Sequence, residues 1–357
     1  MPISTTEGRP DAVEHDLEGL VEEISALLGR PAAEVDRTVS AAERARLVDR
    51  AVALNAAAGT DGSAFHLQQL LLSRIYRLST EIPGSPSAEG AIIVHEVTRT
   101  VEEAVLAAQD EQLDPAVLDT APVEPKEYVS WLKSLARRHR VFKHPYYRHF
   151  IRDQASREDL RRYMIQESAI DGRFDDLLAM MQVGTSGPAK MEIAANFWDE
   201  MGNGNPEEVH TDLFGQVLGV LEVSADEVLR EMTANALLSG NLAVLVCRYR
   251  QLYPEAVGFL GMTEWLVPDR FVNVVHAWER LGLPEVGIRY HRLHVTIDSQ
   301  HAAGWFHRVV LPAATSERMR RGIARGTLWR LDSSARYLDE RLAGGSAGAT
   351  TPLPDPA

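Results

Sequence analysis

The chain has 357 residues, 45% of them hydrophobic and 25% charged, an ordinary soluble globular composition with length for two domains. A formal net charge of −14 argues against nucleic acid as a partner, because phosphate binding rests on clustered Lys and Arg. A single cysteine, Cys247, excludes an internal disulfide and any Cys-rich zinc or iron–sulfur site, and it suits a reducing cytoplasm.

Met1 to Pro10 carries no basic region followed by an apolar run, so no secretory signal is expected. The densest apolar run, Leu242 to Cys247, is closed by Arg248, and no membrane association is expected. Residues 11–29 space apolar positions at threes and fours and end on Gly29, predicting an amphipathic helix with a C-terminal stop. Further helices are predicted at about 40–58, 63–80 and 89–110. Strand patterns and hairpin dipeptides are not found, so the expected class is all-α. Nothing before residue 126 forms a catalytic constellation; His66 and the pair His95–Glu96 read as structural or surface groups.

An acidic, proline-bearing stretch at about 109–126 suggests a connection, giving residues 1–125 as a helical scaffold or dimerisation domain. Residues 126–342 form the second domain, and the Gly-, Thr- and Pro-rich residues 343–357 read as a disordered tail. Within the second domain, Ser156 caps a predicted long helix running through Tyr163, Glu167, Ile170, Phe174 and Leu178, which puts Glu167 among residues that should be buried. A helix over 191–200 ends at Gly202-Asn-Gly204. Asn205-Pro206-Glu207 then reads as a fresh N-cap and first turn, placing Glu207 and His210 at i and i+3 of one face. Glu264 stands inside the apolar run 259–267, where it needs a cation unless it lies on the polar side with Thr263. Helix 286–302 carries His294, Asp298 and His301 at i, i+4 and i+7 of one stripe, a spacing that fits a metal site and also a solvated face. The last helix, about 315–342, is basic and amphipathic.

Four helices thus offer ligand-type residues where a core would not choose them: Glu167; Glu200, Glu207 and His210; Glu264; and His294, Asp298 and His301. Three imidazoles with several carboxylates and no thiolate suit iron or manganese in a paired site, and the excess of carboxylates exceeds what one tetrahedral zinc can use.

The order Glu-Met-Gly-Asn-Gly-Asn-Pro-x-x-x-His (200–210), Gly-Met-Thr-Glu (261–264) and His-x-x-x-Asp-x-x-His (294–301) resembles the haem-oxygenase-like di-iron oxidases and oxygenases over roughly residues 127–315. The additional helical region in front is similar to the layout of that family's natural-product N-oxygenases. The resemblance implies a haem-oxygenase-like helical bundle holding two Fe(II) ions, with O2 as co-substrate, an external electron donor and a reductase as compatible partners, and a small amine or amino-acid substrate; the amphipathic amino-terminal region suggests a homodimer. It implies that His210, His294, Asp298 and His301 are ligands, that Glu264 is the carboxylate of the preceding helix, and that Glu200 or Glu207 completes the set. Glu167 is assigned to the first helix, with Asp171 and Asp175 as competitors. Haem is not expected, because that helix offers no histidine from Ser156 to Met181. A substrate carboxylate would call for an arginine beside the irons, for which Arg173, Arg248 and Arg292 are candidates that read equally as surface charges.

Overall fold

The computed structural model describes residues 10–346 and contains only helices and their connections among them. The chain divides into two compact units, residues 1–112 and 113–357. The expected signal-free start and the tail beyond residue 346 lie outside the described residues.

The first unit holds α1 (Pro10–Leu28), α2 (Ala32–Thr38), α3 (Ala41–Ala58), α4 (Gly62–Thr80) and α5 (Ile92–Asp110). The side chains of Ser40 and Asp61 accept from the backbone N–H groups of Glu43 and Ala64, fixing where α3 and α4 begin. α3 packs on α4 and α5, and α1 on α4, burying Leu20, Ile24, Leu54, Leu72 and Val101. Its buried polar groups are tied to one another: Gln68 donates to Asn55, which donates to the Thr100 carbonyl, both at 2.9 Å. His95 and Glu96 are exposed.

The second unit runs α6 (Pro115–Asp119), α7 (Pro125–Arg138), α8 (Arg157–Glu167), α9 (Phe174–Gln182), α10 (Gly187–Glu200), α11 (His210–Val220), α12 (Ala225–Glu231), α13 (Ala234–Arg248), α14 (Tyr253–Arg280), α15 (Arg289–Trp305), α16 (Leu311–Ala313) and α17 (Glu317–Ser346). Its division from the first unit falls at 112/113, ahead of the expected 125/126. The reason is local: α6 and α7 both pack on α17, and Asp119 pairs with Arg321 at 2.5 Å.

α14 is the axis of this unit, flanked by α15 and α17. A Cβ on Gly258 would stand 2.0 Å from the Ile323 carbonyl oxygen, and one on Gly326 2.0 Å from that of Glu255. Glycine at both positions is what lets α14 and α17 touch backbone to backbone.

Two expectations are corrected here. The helix starting at Ser156 is not continuous: it stops at Glu167, turns through 168–173 and restarts at Phe174. Its apolar spacing survives the break because the turn resumes with Phe174, Leu177 and Leu178 facing inward. The basic last helix buries Arg320, Arg330, Ser333 and Ser334 along with its apolar residues. It also runs to Ser346, so residues 343–346 are helix rather than the start of a tail.

Candidate metal centre

α15 buries Tyr290, His294, Asp298, His301 and Trp305, a single stripe at spacings of three and four, against α14 and α10. The anchoring bond at its far end is Trp305 Nε1 to the Val257 carbonyl of α14, 3.0 Å. The helix that faces this stripe delivers Glu264, and Pro268 four residues later has no N–H to return to the Glu264 carbonyl.

α10 ends on Glu200, and α11 begins on His210. A tight turn joins them: Gly202 has φ +60° and a Cβ there would lie 2.6 Å from the Glu208 carbonyl carbon, while Asn203 takes φ 53°. The chain doubles back, and His210 Nδ1 comes within 2.8 Å of Glu200 Oε2.

Two groups of three result, each with ligand-type atoms within 4.8 Å of one another: Glu200, His210 and His294; and Glu264, Asp298 and His301. All six side chains are buried. The rings of His210 and His294 are 4.6 Å apart, and His294 Nε2 is 4.0 Å from Glu200 Oε1. In the second group His301 Nδ1 lies 3.6 Å from Glu264 and 3.8 Å from Asp298, too far to hydrogen-bond either. Glu264 Oε1 and Asp298 Oδ1 are buried without any hydrogen-bond partner. Unpaired buried carboxylate oxygens converging with imidazole nitrogens are costly alone and well suited to a divalent cation, so the donor set fits iron.

The electrostatics agree. Burial pushes the Asp298 carboxyl well above the ordinary range, and the neighbouring Glu264 adds to it. Burial also raises Glu200, against the opposing pull of His210. The imidazole of His294 is driven far down by burial and by His210, which keeps it neutral, as a ligand must be. Burial would lower His301 too, but Asp199 at 3.0 Å from its Nε2 and Glu264 outweigh it and raise it to about 11.

Of the residues expected from sequence, Glu200, Glu264, His210, His294, Asp298 and His301 come together. Glu207 does not: it is exposed in the short turn Pro206–Glu208, because Asn205 caps that turn and α11 starts only at His210. The two are therefore not on one helical face. Glu167 also stands outside both groups, paired with Arg341 at 2.5 Å. The break after α8 instead turns Asp171 toward α15, where it takes a hydrogen bond from the Tyr290 hydroxyl while its Oδ2 is left without a partner. Burial, then Glu167 and Glu200, keep its carboxyl well above the usual value, with Arg330 opposing. Asp175 is half-buried and joins neither group.

Asp199, which sequence reasoning did not single out, is brought to His301 only because it precedes Glu200 at the end of α10. His291, fully buried beside the stripe, packs its ring 4.5 Å from that of Phe271 and is pushed down to about 3 by burial. Arg292 pairs with Glu279 at 2.7 Å and with Glu285, away from the two groups.

Residues 161–335 match the family model described as iron-containing redox enzyme, of haem-oxygenase-like type. The match spans every residue of both groups. No curated protein matches the chain.

Proposed function

The second unit of this chain belongs to the haem-oxygenase-like iron-containing redox enzymes, and we propose that the protein is an O2-dependent non-haem di-iron oxygenase acting on the nitrogen of an amine or amino-acid-derived substrate. The observation that carries this reading is the pair of buried triads on α10, α11, α14 and α15. Glu200, His210 and His294 would hold one ion, and Glu264, Asp298 and His301 the other, with Asp171 at the margin. Two ferrous ions would supply the electrons and open positions that O2 activation requires.

The chain's own contribution is to fix and to dry the site. His294 Nδ1 donates to the Tyr290 carbonyl at 2.8 Å, and Asp199 orients His301. Buried Phe214 packs on Tyr290 and buried Phe271 on His294, with rings 5.2 and 5.9 Å apart, which would keep bulk water from that triad. The N-oxygenating reading further leans on Glu200 standing ten residues before His210, and it places the protein in a natural-product pathway with a reductase as electron source.

The same triads would serve oxidative C–C cleavage, decarboxylation or desaturation. A fatty-acid substrate calls for a long apolar channel, whereas the cavity next to Asp171 is lined by arginines, which favours a smaller, charged substrate. The remaining alternative, a metal-free helical interaction protein, leaves six buried ionisable groups without a purpose.

Anaerobic titration with Fe(II), followed by rapid mixing with O2, tests the reading. About two ions per chain and a transient visible absorption are expected. Aerobic assays against amines and amino acids should give products oxidised at nitrogen; oxidation only at carbon would sink that part and leave the di-iron oxygenase standing.

A further inference from the structure

A small cavity lies beside the metal centre, between the end of α8 and helices α13, α14 and α17. It offers about 20 Å³, room for about one water. Three guanidiniums line it, yet their partners are unequal. Arg330 donates to the hydroxyls of Thr263 at 2.8 Å and Ser239 at 3.0 Å. Arg270 donates to the Tyr337 hydroxyl at 2.7 Å. Only Arg341 meets a carboxylate, that of Glu167.

Arg270 is 6% exposed and Arg330 4%, and Arg270 Nη2 finds no acceptor at all. With Glu167 and Asp171 the other ionisable carboxyls on the cavity wall, three positive charges face at most two negative ones. Buried guanidiniums spent on neutral hydroxyls are short of a counter-charge, since a charge out of water needs an opposite one. The Tyr337 hydroxyl registers the same excess: burial pushes it up, but Arg270 and Arg330 more than offset this and hold it below the ordinary phenol range.

The cavity also has the right neighbours. Thr263 adjoins Glu264 in α14, Asp171 joins the cavity wall to Tyr290, and the Phe271 ring on the same wall is 5.9 Å from that of His294. On its other side Gln166 and Arg341 are shared with an outer pocket of about 240 Å³, lined by Tyr146, Phe150 and Tyr163.

We infer that this cavity is a carboxylate-recognition site, in which Arg270 and Arg330, assisted by Tyr337 and Ser239, hold the acid group of an amino acid or a related small carboxylate. The planar fork of a guanidinium matches a carboxylate in two-point fashion, and two of them converging from α14 and α17 give a fixed seat. As a substrate site it rests on the oxygenase reading above; as an anion site it stands on the arginine geometry alone.

The test uses the full, metal-free chain. Calorimetric and thermal-shift titrations with the proteinogenic L-amino acids are compared with the corresponding amides and with inorganic phosphate. At least one acid should bind saturably, with its amide weaker by about tenfold or more, and Arg270→Gln and Arg330→Gln should each weaken the acid by a similar factor. Should a variant fail to fold, the acid–amide comparison on the wild-type chain decides alone. Amides binding as well as acids, phosphate binding where no acid does, or no acid binding at all would overturn the inference. Iron uptake without acid binding would leave the oxygenase reading intact, and acid binding without iron uptake would leave only the anion site.

Discussion

His294 Nδ1 donates to the carbonyl of Tyr290, one turn earlier in the same helix, at 2.8 Å. A carbonyl can only accept, so this bond fixes the tautomer and leaves Nε2 as the lone-pair nitrogen, on the side of Glu200 and His210. The helix backbone thus pre-sets a ligand before any ion arrives.

The two triads should be separable. His210→Ala is expected to lower anaerobic Fe(II) stoichiometry from about two ions to about one per chain, and His301→Ala to do the same through the other group. Calorimetry on each variant and on the double variant checks this; an unchanged stoichiometry in either single variant would reject the two-group assignment.

Glu207→Ala should be silent, since that side chain is exposed in a turn and exposed sites of this kind change stability by less than about 0.5 kcal/mol. Glu200→Ala, by contrast, should abolish iron binding by its triad. The comparison settles which of the two acids the Glu-x-x-His spacing obscured.

Asp199→Asn should retain the fold while weakening iron binding by roughly 10- to 100-fold, because Asp199 holds the far nitrogen of His301 rather than reaching a triad itself. Circular dichroism together with a metal-competition titration separates this from unfolding.

Stability should respond to pH through His301. Its folded value, about 11 against an ordinary 6.5, means stability present in full below 6.5 and lost as pH rises toward 11. His291 and His294, both lowered by burial, are neutral folded or unfolded above 6.5 and do not oppose this slope. The metal-free chain should lose up to about 1.4 kcal/mol per pH unit between about pH 7 and 9. Iron requires the neutral imidazole and displaces that proton, so the stabilisation it confers should grow over the same range. Urea midpoints with and without Fe(II), kept anaerobic, would expose a flat profile if His301 were not protonated.

Gly258→Ala should destabilise the second unit by about 3 kcal/mol or more, lowering its melting midpoint by roughly 5–10 °C. The added methyl would meet the Ile323 carbonyl, a backbone atom that cannot rotate away.

The helical class and the α15 stripe were legible in the residues because both depend on local periodicity. A spacing of four, four and three between Tyr290, His294, Asp298 and His301 puts them on one face of any helix. The Ser156 cap acts within one turn, so the start of that helix was readable too. Glu207 read as a partner of His210 because spacing alone does not tell a three-residue turn from the first turn of a helix. Glu167 read as the inward acid because the break at 168–173 conserves the apolar rhythm while rotating Asp171 into its place. Asp199 and the arginines of α14 and α17 gave no local signal: their roles come from helices far apart in sequence. What the sequence determined was therefore which faces are buried and which carry ligand atoms. Which acid meets which imidazole, and which cations share one cavity, was decided only by the tertiary packing of α10, α14, α15 and α17.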